Sequence, residues 1–191
     1  MNIAIFASGA GSNAQKLIDH FRHSSIAQIA LIVCNKPGAG VVDIGKREGI
    51  PVMMIDKERF FRGDGYLSEL KKHNVQFLVL AGFLWKVPHL LVKAYPRKIV
   101  NIHPALLPKF GGKGMYGHHV HQAALLSGDT QSGITIHYVD EHYDNGDIIF
   151  QATCPIHPND TPEILAQRIH ELEHRYFSEA VEKEIEKCWN G

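Results

Sequence analysis

The chain has 191 residues, with 20 Lys and Arg against 20 Asp and Glu and 45% hydrophobic residues. That length suits one domain, the composition excludes disordered and fibrous classes, and zero formal charge supplies no basic field to draw a nucleic acid. Three scattered cysteines, Cys34, Cys154 and Cys188, exclude a disulfide framework or a C-x-x-C motif and point to a reducing cytoplasm, while no basic leader and no stretch of roughly 18 apolar residues argues for secretion or membrane insertion.

In chain order, short β-branched runs alternate with longer amphipathic stretches, the mark of βαβ units around a buried parallel sheet. Asn2–Ala7 reads as a strand and Ser12–Arg22 as a helix, followed by a strand over Gln28–Cys34 and a helix over Ala39–Glu48 that Gly49 ends. Pro51–Ile55 is a short strand, Lys57–His73 a helix and Gln76–Ala81 a fully buried strand. A short helix, Pro88–Tyr95, leads into a strand over Lys98–His103. The character then changes: a glycine-rich loop, Phe110–Gly117, and a helix, His118–Ser127, precede two strands, Ser132–Val139 and Asp147–Cys154, joined by a polar turn as a ribbon appended to the sheet. Thr161–Glu186 is a final amphipathic helix, with Thr161 as cap and Pro162 in its first turn. The expectation is one α/β domain over residues 1–191, an open, mostly parallel sheet flanked by helices and mixed towards its C-terminal part. The sequence is compatible with a monomer or a homodimer.

Ser8-Gly9-Ala10-Gly11-Ser12-Asn13-Ala14 joins the first strand to the first helix, so the amides of a tight glycine turn and a helix N-terminus can hold an anion together. A dinucleotide site would require an acid at the end of the second strand, where Cys34-Asn35-Lys36 stands instead, which favours a phosphate monoester. The plain alternative is a turn that only packs helix on strand. In Asn101-Ile102-His103-Pro104 the first and third residues of a strand end share a face, and an amide beside an imidazole can stabilise an oxyanion. Asp144-Asn145-Gly146-Asp147 is first of all a turn, yet one that could bring Asp144 back to His103 for proton transfer, with His137 on the strand before it as possible support. His118-His119-Val120-His121 lacks the Cys or Glu partners of a zinc site, so no metal is expected. Trp85-Lys86-Val87-Pro88 serves equally as an aromatic wall for a flat ligand or as core.

Gly9-Ala10-Gly11-Ser12-Asn13, Ala81-Gly82-Phe83, Asn101-Ile102-His103-Pro104-Ala105-Leu106-Leu107-Pro108 and the span from Gly133-Ile134-Thr135-Ile136-His137 to Asp144-Asn145-Gly146 together resemble the folate-dependent formyltransferases, in their phosphoribosylglycinamide (glycinamide ribonucleotide) branch, nearly end to end. The resemblance implies a Rossmann-like formyltransferase fold and transfer of a formyl group from 10-formyltetrahydrofolate, a consumed cosubstrate, to the amine of glycinamide ribonucleotide in purine biosynthesis. It implies that Asn101, His103 and Asp144 are catalytic, that Gly11, Ser12 and Asn13 hold the substrate phosphate, and that Glu173 contacts the ribonucleotide. A cationic His103 would assist the Asn101 amide at the oxyanion. Phe83, Leu84, Trp85, Lys86 and Val87, with Asp140, Glu141, His142 and Tyr143, would shape the folate pocket, without metal, nucleic acid or membrane. Two departures stand out: Trp85-Lys86-Val87 replaces an expected arginine and two aliphatic residues, and the stretch Lys109–His121 is a few residues long for the family. A 10-formyltetrahydrofolate hydrolase, a non-catalytic nucleotide-binding module and a dinucleotide-dependent oxidoreductase are the competing readings.

Overall fold

The computed structural model describes residues 1–190 and contains a seven-stranded sheet among them. Five parallel strands come first: β1 (Asn2–Ala7), β2 (Gln28–Cys34), β3 (Val52–Met54), β4 (Phe77–Leu80) and β5 (Ile99–His103). Two antiparallel strands, β6 (Gln131–Tyr138) and β7 (Ile148–Pro155), extend the sheet to the order β3-β2-β1-β4-β5-β6-β7. The helices are α1 (Ser12–Phe21), α2 (Gly40–Glu48), α3 (Lys57–Arg62), α4 (Leu67–Lys72), α5 (His89–Ala94), α6 (His118–Leu126) and α7 (Pro162–Asn190).

Period-2 alternation divides β1 between two cores, one on each face of the sheet. Ile3, Ile5 and Ala7 join a cluster with Leu17, Val41, Ala124 and Phe177, so α1, α2, α6 and α7 cover that face. Ala4 and Phe6 join the other with Phe60, Leu70 and Leu91, under α3, α4 and α5. Burying each such large side chain stabilises the fold by about 1.5–3 kcal/mol before the entropy of ordering is counted. The second cluster reaches Ile99 but includes no residue of β6, so polar side chains at the ends of β5 and β6 have no helix packed over them on that face.

One expected helix is two. Lys57–His73 breaks after Arg62, and α4 starts only at Leu67. A Cβ at Gly63 would lie 2.7 Å from the Arg59 carbonyl oxygen, while Gly65 and Tyr66 both take left-handed backbone. Asp64 stabilises the break, accepting from the Arg59 guanidinium at 2.9 Å and the Tyr66 amide at 3.1 Å. α7 runs past the expected Glu186 to Asn190, and Thr161 caps it, its hydroxyl accepting from the Ile164 amide at 3.3 Å.

Strand order reverses between β1, whose next strand lies to one side, and β4 on the other, so the loops after them diverge at the carboxyl edge. In open α/β sheets this is where ligands bind. The Ser8 amide donates to the Gly82 carbonyl at 3.1 Å and the Leu84 amide to the Ser8 hydroxyl at 3.0 Å, which ties the two loops at the base of the crevice.

Candidate active site

A cavity of about 810 Å³ opens in this crevice, lined by the turn after β1, the loop after β4, the end of β5, the glycine-rich loop and the first turns of α7. Gly11 has left-handed backbone, and a Cβ there would lie 2.9 Å from Val41 Cβ and 2.8 Å from Ile44 Cδ1. The turn therefore sits directly against α2, with no room for a side chain at Gly11. The first intrahelical bond of α1 runs from the Gln15 amide to the Gly11 carbonyl at 2.9 Å, so the amides of Ser12, Asn13 and Ala14 precede any helical partner. Gly11, Ser12 and Asn13 all line the cavity.

Across the cavity stand Asn101, His103 and Asp144. Ile102, between the first two, packs into the core, so Asn101 and His103 share the opposite face, as the strand period predicts. Antiparallel register sets His137 of β6 directly opposite Asn101. The His137 Nδ1–H donates to the Tyr138 carbonyl at 2.8 Å, which leaves Nε2 to accept from the Asn101 side-chain amide at 3.0 Å. That bond fixes which end of the Asn101 amide faces His137 and leaves its second N–H free. The His103 Nε2–H donates to the Phe110 carbonyl at 2.8 Å, and its Nδ1 lies 3.6 Å from Asp144 Oδ2. Asp144 has folded back from the turn, with left-handed backbone, and Oδ2 accepts from the Gly112 amide at 2.9 Å. Burial would raise its pKa, but the imidazoles of His137 and His103 and the Gly112 N–H together hold it below the ordinary carboxylate value, so it is ionised at neutral pH.

The resting His103 differs from the expected cation. It is 3% exposed, and burial holds its pKa below 6.5 even though the Asp144 charge works the other way, so the imidazole is neutral at pH 7 with its proton on Nε2. The free Nδ1 is then a proton acceptor beside a carboxylate.

At the far end Glu173, on α7 and 5% exposed, accepts at Oε2 from the Asn13 side-chain amide and from His170 Nδ1, both at 2.8 Å. The hydrogen bond to Glu173 raises the His170 pKa. Asn13 Oδ1 and His121 Nδ1 are buried without a hydrogen-bond partner. The participation of His170 was missed from sequence, although its position three residues before Glu173 on a helix placed it on the same face.

The expected folate residues divide. Phe83, Leu84 and Tyr143 line the main cavity. Phe83, Trp85, Lys86, Val87, Asp140, His142 and Tyr143 line a smaller one of about 60 Å³ that shares Asn101 and Asp144 with it. Trp85 is also core, its ring against Phe60, Phe61 and Phe83 with the Lys57 ammonium 5.9 Å from its centroid. Glu141 lines neither cavity; it lies at the surface, 2.8 Å from His89 Nδ1. Of the histidine run, His118 and His121 line the main cavity while His119 packs on Tyr116, and no group of three or more potential metal ligands occurs among the described residues.

A formyl transferase family model matches residues 1–181. A chloroplastic phosphoribosylglycinamide formyltransferase of Arabidopsis thaliana is 43% identical over 185 residues, 94% of this chain and 63% of the relative, so the chain spans under two thirds of that protein. The phosphoribosylglycinamide formyltransferase of Bacillus subtilis (strain 168) is 36% identical over 94% of this chain and 92% of its own. The crystal structure of phosphoribosylglycinamide formyltransferase from Bacillus halodurans superposes with a TM-score of 0.88 at 36% identity, covering 98% of this chain and 97% of that one. A switch-point cavity with an amide, an imidazole and a carboxylate at one end, and a sequence match to the B. subtilis protein over nine tenths of both chains, lead to one assignment: the chain belongs to the formyl transferase family, among its phosphoribosylglycinamide formyltransferases.

Proposed function

We propose that this protein, a single formyltransferase domain over residues 1–191, transfers the formyl group of 10-formyltetrahydrofolate to the amine of glycinamide ribonucleotide in de novo purine biosynthesis. The observation that carries the reading is the convergence of Asn101, His103 and Asp144 on one cavity, with His103 Nδ1 3.6 Å from the Asp144 carboxylate. Binding alone requires none of the three.

The substrate amine attacks the formyl carbon, and the carbonyl electron pair moves onto oxygen. The free N–H of Asn101, oriented by His137, donates to that oxyanion. The amine, now cationic, gives a proton to His103 Nδ1, directly or through water, and Asp144 stabilises the imidazolium that forms. The same proton passes to the folate nitrogen as its bond to the formyl carbon breaks, leaving tetrahydrofolate and the formylated ribonucleotide. A cation generated during the reaction, rather than present at rest, concentrates its stabilisation on the transition state.

At the other end, Gly11, Ser12 and Asn13 hold the phosphate through the first amides of α1, and Glu173 contacts the ribonucleotide. The folate occupies the space between Phe83–Val87 and Asp140–Tyr143, where Trp85 and Lys86 border the smaller cavity. The partners are these two small molecules, with no nucleic acid, membrane or metal in the reaction. The proposal places the reaction in the cytoplasm, a reducing compartment that suits three free cysteines.

The test is the ultraviolet change on folate deformylation, followed with and without glycinamide ribonucleotide. Turnover that requires the ribonucleotide is expected. Turnover without it would make the protein a hydrolase with water as acceptor, and no turnover with either would refute the reading.

A further inference from the structure

The glycine-rich loop enters the site with two consecutive features that touch different members of the trio. The Phe110 carbonyl accepts from His103 Nε2 at 2.8 Å, and two residues later the Gly112 amide donates to Asp144 Oδ2 at 2.9 Å. Phe110 itself has φ 57°, a left-handed conformation that costs a non-glycine residue energy and gives its carbonyl the direction the imidazole uses. Between them, Gly111 has no positive φ, and its nearest neighbours are the side chains of Leu107 and Asp144. A methyl group there would lie 2.6 Å from Leu107 Cδ2 and 3.2 Å from Asp144 Cβ. The segment is also held from behind. Thr135 Oγ1 accepts from the Leu107 amide at 2.9 Å and donates to the Ala105 carbonyl at 2.7 Å, and the Gln151 side-chain amide donates to the Leu107 carbonyl at 3.0 Å.

We propose that the Phe110–Gly112 backbone is a clamp that sets His103 and Asp144 relative to each other for proton transfer, with Gly111 as a positioning residue whose lack of a side chain lets Leu107 and Asp144 keep their places. One bond selects the His103 tautomer, leaving Nδ1 as the acceptor; the other aims the carboxylate oxygen that stabilises the charge arriving there. Both bonds come from three consecutive residues, so a displacement of Gly111 loosens both. The inference rests on the formyl-transfer reading for its kinetic consequence only; the tautomer is a property of the free protein.

Gly111→Ala tests it. The expected result is a kcat lower by ~10- to 100-fold, because misplacement by an ångström costs that much, with KM for both substrates within about two-fold. In ¹⁵N spectra at about pH 8, above the lowered His103 pKa, wild-type His103, assigned by its loss in His103→Asn, carries its proton on Nε2 alone, and Gly111→Ala is a mixture of tautomers. Leu107→Val in the Gly111→Ala background removes the colliding Cδ2 and restores most of the kcat and the single tautomer. The proposal is overturned by a wild-type kcat in Gly111→Ala, by a lost kcat with an unchanged tautomer, by a double variant no better than the single one, or by a wild-type His103 protonated on Nδ1. Absence of formyl transfer by the wild type with its Nε2 tautomer intact overturns the assigned reaction and not the clamp.

Discussion

The two ends of the cavity differ in how far the protein satisfies their polar groups. At one end the ring nitrogens of His137, one N–H of Asn101, Nε2 of His103 and Oδ2 of Asp144 are each engaged by the protein. At the other, the Asn13 side-chain amide and His170 bond to Glu173, but Asn13 Oδ1 and His121 Nδ1 are buried with no partner among the described residues. Leaving a buried polar atom unpaired costs about 1–3 kcal/mol, so the second end holds free energy that a ligand with matching donors and acceptors recovers on binding. Under the proposed function the difference separates chemistry from recognition: groups assigned to a fleeting charge are oriented beforehand, whereas groups assigned to the substrate gain their bonds from it.

The largest test of that separation is Asp144→Asn or His103→Asn, for which kcat should fall by ~10²–10⁴ while calorimetric affinities for both small molecules stay within a few-fold. An equal loss of affinity would erase the distinction. Asn101→Ala should follow, with ~10²–10³ lost from kcat because one oxyanion donor goes. Glu173→Gln should show the reverse pattern, raising KM for the ribonucleotide by ~10-fold through weakened charged hydrogen bonds while kcat changes little; a collapse in kcat would mean that the two ends are one unit.

The smallest effect is on pH dependence. With its folded pKa below 6.5, His103 is neutral and able to accept a proton above that pH, and activity is lost as the pH falls through the His103 pKa. The Asp144 charge favours the imidazolium, so removing it in Asp144→Asn lowers the His103 pKa further. An imidazole NMR titration reads both, and a midpoint that rises in the variant would contradict the electrostatics described here.

Much of this arrangement is legible in the chain. The two-residue spacing of Asn101 and His103 sets them on one face, and Pro104 marks the strand end, because side-chain direction in a strand depends only on parity. The return of Asp144 to His103 is an open possibility at the level of sequence, since a turn of Asp, Asn and Gly fixes a reversal of the chain but not its distance from another strand. The pairing of His137 with Asn101 depends on strand register, which no local pattern reports. The bonds from Phe110 and Gly112 lie further out of reach: they are made by the backbone, and side-chain identity says nothing of where a carbonyl points. The break within Lys57–His73 has a local signal in Gly63 and Gly65, residues that weaken a helix interior.

The most direct measurement follows the formyl carbon itself. 10-Formyltetrahydrofolate labelled in that carbon is incubated with glycinamide ribonucleotide and either the wild-type protein or Asp144→Asn, and the products are weighed by mass spectrometry. The account predicts label in the ribonucleotide with the wild type and almost none with Asp144→Asn, though the variant still binds both molecules. Label released as free formate, or equal transfer by the variant, would contradict it.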